Sequence, residues 1–147
     1  MSISTGILQV VLVVPVGSGN SCIICVTRKE DAMFVNISNH PANKWSPAQI
    51  ANAGGQVRDI QFPNVAPMAT TAEVAKLADD LADQVAEGEM AMVQGEFSLT
   101  YALTRRLRAR GILVVVACTE RKVTEVQKEG KTEKVVVFEF LCFREVE

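Results

Sequence analysis

Aromatic side chains are scarce in this chain. They make up 5% of 147 residues, with one Trp and one Tyr, too few for a platform that stacks along a nucleic-acid strand. An excess of charge of one sign is missing too. Fifteen Lys and Arg against 17 Asp and Glu leave a net charge of −2, so no bulk attraction to nucleic acid is expected and a long nucleic-acid partner is excluded. Any anion has to be held by a local site. Histidine occurs once, at His40, which rules out metal motifs built on paired His and leaves no Ser-His-Asp arrangement or nucleophile elbow. Cysteine occurs four times, as Cys22, Cys25, Cys118 and Cys142. The close pair Cys22–Cys25 has no second pair to complete a zinc knuckle, and Cys118 and Cys142 sit in apolar runs as small hydrophobes. No metal or cofactor is expected, no disulfide framework is indicated, and a reducing cytoplasm is the default location.

The apolar N-terminus lacks what an export signal or a membrane span needs. The opening MSIST carries no Lys or Arg, whereas a signal peptide begins with positive charge. Gln9, Pro15 and the run Gly17-Ser18-Gly19-Asn20-Ser21 interrupt the stretch of about 20 apolar residues that a spanning helix requires. No membrane partner is expected. Two β-rich segments around a Gly/Asn turn fit the run. An alternative is that residues 1–32 form a dispensable N-terminal extension, set off by TRKEDA, with one α/β domain over residues 33–147.

What is present from Met33 onward is an alternation of strand and helix signals. Residues 33–38 form a short β-rich run, consistent with a buried parallel strand. Ser46-Pro47-Ala48-Gln49 has the form of a helix start that Gly54-Gly55 cuts short. Residues 57–62 (VRDIQF) alternate as a second strand. Thr70-Thr71-Ala72-Glu73 is a capping box, followed by Val74, Leu77, Ala78, Leu81 and Val85 at helical spacing. Asp79, Asp80 and Asp83 fall on the solvated side. Residues 89–93 read as a third strand. A helix with Leu99, Ala102, Leu103 and Leu107 on its apolar side follows, with Arg105, Arg106, Arg108 and Arg110 in its last turns, where cations favour the helix dipole. Residues 112–118 (ILVVVAC) are the clearest buried strand. Residues 123–126 and 135–143 flank a polar turn and read as a hairpin. The order predicts a small open Rossmann-like α/β sheet, parallel in its core, with a C-terminal β-hairpin.

Ligands in such sheets bind beyond the carboxyl ends of the strands, where strand order reverses. In a 2-1-3-4 order three segments converge there: residues 38–46, 94–98 and 119–121. In the first, His40 is the candidate acid/base and Lys44 a phosphate neutraliser, while Asn36, Ser38 and Asn39 offer hydrogen bonds to a base or ribose, or else to the loop's own backbone. Trp45 reads as a hydrophobic staple more readily than as a base stacker. In the second, Gly95 permits a tight turn or close ligand approach, with Gln94 beside it. Free N–H groups near Ser98 suit a phosphate, although Glu96 would repel one, and an ordinary turn capped by Ser98 is the plain alternative. In the third, Thr119 and Arg121 end the strand, Arg121 adding positive charge. Metal-independent cleavage of an RNA-like phosphodiester fits this set, because a ribose 2′-OH attacking its own phosphate needs mainly correct holding.

The segments FVNISNHPANKWS, IQFPNV and VQGEFSLTYALTRRLRARGI together resemble the small stand-alone CARF-like (CRISPR-associated Rossmann fold) proteins found near type III CRISPR systems. The resemblance covers roughly residues 33–147. It implies a homodimer that binds cyclic oligoadenylate, an antiviral second messenger, across its two-fold axis, and for the ring nucleases among these proteins it implies cleavage of that ring. Carried onto this chain, Ser38, Asn39 and His40 would serve the ring and the Gln94-Gly95-Glu96 turn would line its phosphates. The chain departs from the Gly-Thr type of turn that many such proteins show, having Glu96 instead. Other readings remain open: a sponge or sensor without chemistry, a protein-interaction module, and a nucleoside- or NAD-processing enzyme using Glu96.

Overall fold

The computed structural model describes residues 8–16, 20–28 and 32–147. Two strands, β1 (Leu8–Val16) and β2 (Asn20–Arg28), pair antiparallel as a separate ladder. The expected turn at Gly17–Gly19 lies outside the described residues, as do the side chains of Cys22 and Cys25.

The main sheet has five strands: β3 (Phe34–Ser38), β4 (Val57–Gln61), β5 (Met90–Gln94), β6 (Leu113–Lys128) and β7 (Lys131–Glu145), in the spatial order β4-β3-β5-β6-β7. The first four are mutually parallel and β7 runs antiparallel to β6. Numbered among themselves, the parallel strands stand in the order 2-1-3-4. The reason is in the side chains. All of β3 and all but the last residue of β5 are buried, so these two are central, while β4 alternates between partly buried and exposed positions and forms an edge.

Helices cover both faces. On one, α2 (Thr71–Ala82) and α3 (Phe97–Ala109) place Val74, Ala78, Leu81, Leu99, Leu103 and Leu107 on Val35, Ile37, Ala91, Val93 and Val114. Helix α2 opens on a complete capping box: Thr70 accepts from the Glu73 N–H, and Glu73 accepts from the Thr70 N–H at 2.7 Å. The two helices are tied at their solvent edge by Arg106 to Asp79 at 2.6 Å and Arg110 to Asp83 at 2.8 Å. The expected solvated Asp cluster is exposed, and it holds two of those arginines.

The other face is more thinly covered. Short α1 (Pro47–Asn52) is capped by Ser46, which accepts from the Gln49 N–H. Beneath it and the preceding loop lies an aromatic-rich cluster of Phe34, Met92, Val115 and Phe143, with Trp45 and Phe140 packed against it. Trp45 meets Phe34 edge-on at 6.0 Å, so its ring serves packing, as a staple would.

The fourth parallel strand is longer than the sequence pattern suggested. The apolar run predicts an end at Cys118 and a separate hairpin over residues 123–126 and 135–143; the antiparallel pair is there, but β6 runs unbroken into it as far as Lys128, paired with β7. Beyond Cys118 the strand has left β5 behind, and the N–H and C=O groups on its β7 side continue the antiparallel ladder that carries it out past the sheet. A bulge between Cys118 and Thr119 marks the exit. The arm closes on Glu129 and Gly130, both at positive φ (50° and 73°), the conformation of a two-residue hairpin turn matched to strand twist.

Candidate functional site

Ser38 and Gln94 are Cα partners at the carboxyl ends of the central strands β3 and β5. The crossover from β3 runs through α1 on one face and that from β5 through α3 on the other. Strand order therefore reverses between them, and the loops carrying His40 and Gly95 leave the sheet side by side.

The first loop is held by a buried polar network. Asn36, 1% exposed, donates both amide hydrogens, to the His40 carbonyl and to Asp59 Oδ1, each at 2.8 Å. Its own Oδ1 accepts from Ser38 Oγ at 2.7 Å. Ser38 Oγ in turn accepts from the His40 N–H at 3.2 Å. Asp59, the partner of Asn36 on β4, also accepts from the Ala42 N–H at 3.1 Å. Trp45 Nε1 donates to the His40 carbonyl at 3.1 Å. The alternative stated for Asn36 and Ser38 is the one observed: they fasten the loop's backbone. Their work leaves Asn39, His40 and Lys44 exposed on a rigidly held rim, the His40 main chain fixed on both sides.

Sequence reasoning missed Asp59. Its signal was present, an acidic residue inside the alternating VRDIQF, but only the register of β3 on β4 brings it beside Asn36.

The second loop is filled from within. A Cβ built on Gly95 would lie 2.6 Å from the Phe62 ring, so the missing side chain admits Phe62, itself 3% exposed, and the close approach belongs to the core. Glu96, as N-cap of α3, accepts from the Ser98 N–H at 3.1 Å and the Leu99 N–H at 2.9 Å, and Ser98 Oγ donates to it as well. Its carboxylate sits where a bound phosphate would otherwise take those N–H groups. The bond from Leu99 above all, then those from Ser98, holds the Glu96 carboxyl below the ordinary carboxylate range. Gln94 and Ser98 are exposed beside it.

The third segment does not join the other two as a loop. Thr119 and Arg121 are strand residues of the arm, paired with Phe140 and Phe138.

A different cluster opens next to the strand ends. The first turns of α2 and α3 bound a groove lined by Thr71, Val74, Phe97, Ser98, Tyr101 and Arg105. Phe97 and Tyr101 are 82% and 58% exposed, nearly parallel at 15°, with centroids 6.4 Å apart, and the Arg105 guanidinium lies 5.7 Å over the Tyr101 ring. Two exposed rings one helical turn apart were legible as FSLTY, but read as part of a helix they carried no weight. Among the described residues no group of three or more His, Cys, Asp or Glu is placed to hold a metal ion, and no helix is long and apolar enough to cross a membrane.

Residues 32–144 match the Uncharacterized protein MJ1673 family. The chain belongs to this family. The matched span takes in the whole five-stranded sheet but for the last residue of β7, and hence every site residue above, while β1 and β2 of this MJ1673 family member lie before it. No curated protein and no solved structure matched the chain.

Proposed function

We propose that this chain is a Rossmann-like nucleotide-binding module whose ligand lies across the carboxyl ends of β3 and β5. The class of ligand implied by the sequence resemblance is a cyclic oligoadenylate, bound by a homodimer in CRISPR-linked antiviral signalling. The observation that carries the reading is the pairing of Ser38 with Gln94, which sends the loop of Asn39, His40 and Lys44 and the turn into α3, where Phe97, Tyr101 and Arg105 follow, out of the same end of the sheet. Rings of that kind stack on bases, each such stack contributing about 1–3 kcal/mol, and Lys44 and Arg105 supply charge for phosphates. Glu96 satisfies the α3 N-terminus itself, which favours side-chain cations over the helix end as the phosphate contact.

Cleavage is the second reading, favoured by one feature. His40 has its backbone clamped and its side chain exposed, as a general acid or base for an attacking 2′-OH would need. Incubation with cyclic tri-, tetra- and hexa-adenylate, with and without EDTA, tests both. A raised melting temperature without products supports the binding module. EDTA-resistant products that vanish in His40→Ala, with the thermal shift kept, support a ring nuclease. No shift and no products with any ring would refute the nucleotide reading.

A further inference from the structure

The arm formed by β6 and β7 beyond the bulge carries exposed apolar side chains. Of the nine large apolar residues exposed among the described residues, six lie on this arm, so its apolar surface is a local feature. Although β1 and β2 approach β7, Val123, Val136 and Phe138 remain 51%, 42% and 66% exposed.

Cross-strand partners share a face, so the ladder can be read row by row. On the side that continues from Phe143 the rows are Thr119/Phe140, Arg121/Phe138, Val123/Val136 and Glu125/Lys134. The bulge puts Phe140 and Phe143 on one side, 4.9 Å apart, and so extends the aromatic cluster out along the arm. On the opposite face Lys122 pairs with Glu139 within the chain. On this face Arg121, Glu125 and Lys134 form no ion pair among the described residues.

We propose that this face is the contact between two copies of the chain, their arms crossing antiparallel about a two-fold axis at the Val123/Val136 row. The row pattern is self-complementary under that operation. Val123 and Val136 meet their own counterparts at the centre. One row toward the base, Arg121 meets the partner's Glu125, and Phe138 meets the stem and ammonium of the partner's Lys134. A side-by-side arrangement fails because α1 stands on the same face at the base of the arm, over Phe143, and would drive into α1 of the partner. In the crossed arrangement the same register carries each tip toward the partner's Phe143 row, so the arms cross at an angle that lets the tip pass beside the partner's α1. This inference does not depend on what the strand-end loops bind.

Sedimentation velocity of the full chain over a wide concentration range tests it. The chain is expected to be dimeric and V123E monomeric, since two carboxylates would face each other at the axis. R121E or E125R alone sets like charges together, twice per dimer, and should weaken association roughly tenfold. The double variant R121E/E125R should restore it, a rescue that misfolding would not give. A parent chain that is monomeric throughout, or a dimer that survives V123E and both single swaps, would overturn the proposal.

Discussion

At the residue scale, the site depends on side chains that never face a ligand. Asn36 uses both amide hydrogens and its oxygen to hold the His40 loop. Asn36→Ala is therefore expected to cost about 1–3 kcal/mol, because it strips partners from a buried network, and to abolish any nucleotide-induced rise in melting temperature. Urea unfolding of the variant, with and without nucleotide, checks both parts. Gly95→Ala tests the second loop. Its Cβ would meet the Phe62 ring at 2.6 Å, so a loss of about 1–3 kcal/mol is expected. Gly95→Ala combined with Phe62→Leu should cost less than the sum of the two, since both changes act on one contact. An additive pair in denaturant melts would show that the ring does not set the demand for glycine. The residue types at both loops were visible in the sequence; their roles were not. Asn, Ser and Gly after a strand look the same whether they await a ligand or fasten the chain, and only the partner across the sheet decides.

At the scale of elements, local signals were the more legible ones. Ser46 and the Thr70–Glu73 box stand where the spacing put them, because caps act over three residues and need no distant partner. Thr70→Ala should cost about 1 kcal/mol in thermal unfolding. The start of α3 was harder to read: Ser98 was the candidate cap, and Glu96 takes that position. The consequence is a pH dependence with a definite sign. The folded carboxyl titrates below its ordinary value of 4.5, so the unfolded chain binds more protons in the acid range. The stabilisation from this cap is complete above the unfolded value and is lost as pH falls through the lowered folded one. The difference in melting temperature between the parent chain and Glu96→Ala should thus be largest near neutrality and shrink as acidification protonates the folded carboxylate. A difference constant with pH would mean that the carboxylate does not cap the helix.

At the scale of the whole molecule, the sequence conveyed the alternation of strands and helices and the closing hairpin, but not how far that hairpin runs. Apolar runs locate β3, β5 and the start of β6 because burial on both faces demands them; the 2-1-3-4 order entered as a condition, and the pairing of β3 with both β4 and β5 is what establishes it. Residues 123–126 and 135–143 read as a separate hairpin because Thr119, Glu120, Arg121 and Lys122 look like a polar break after Cys118; the break is absent because each of these residues also finds a partner in β7. That ladder contributes little to either core, since residues 119–139 are exposed throughout. Removing it should leave the domain intact. Glu120 and Glu139 are Cα partners, so residues 121–138 can be replaced by Asn-Gly, a turn whose twist suits two antiparallel strands. The shortened chain is expected to keep a cooperative thermal transition and the same far-ultraviolet signature of helix, and to sediment as a monomer. Retention of the dimer would move the contact to another face, and loss of cooperative melting would show that the arm belongs to the folding unit.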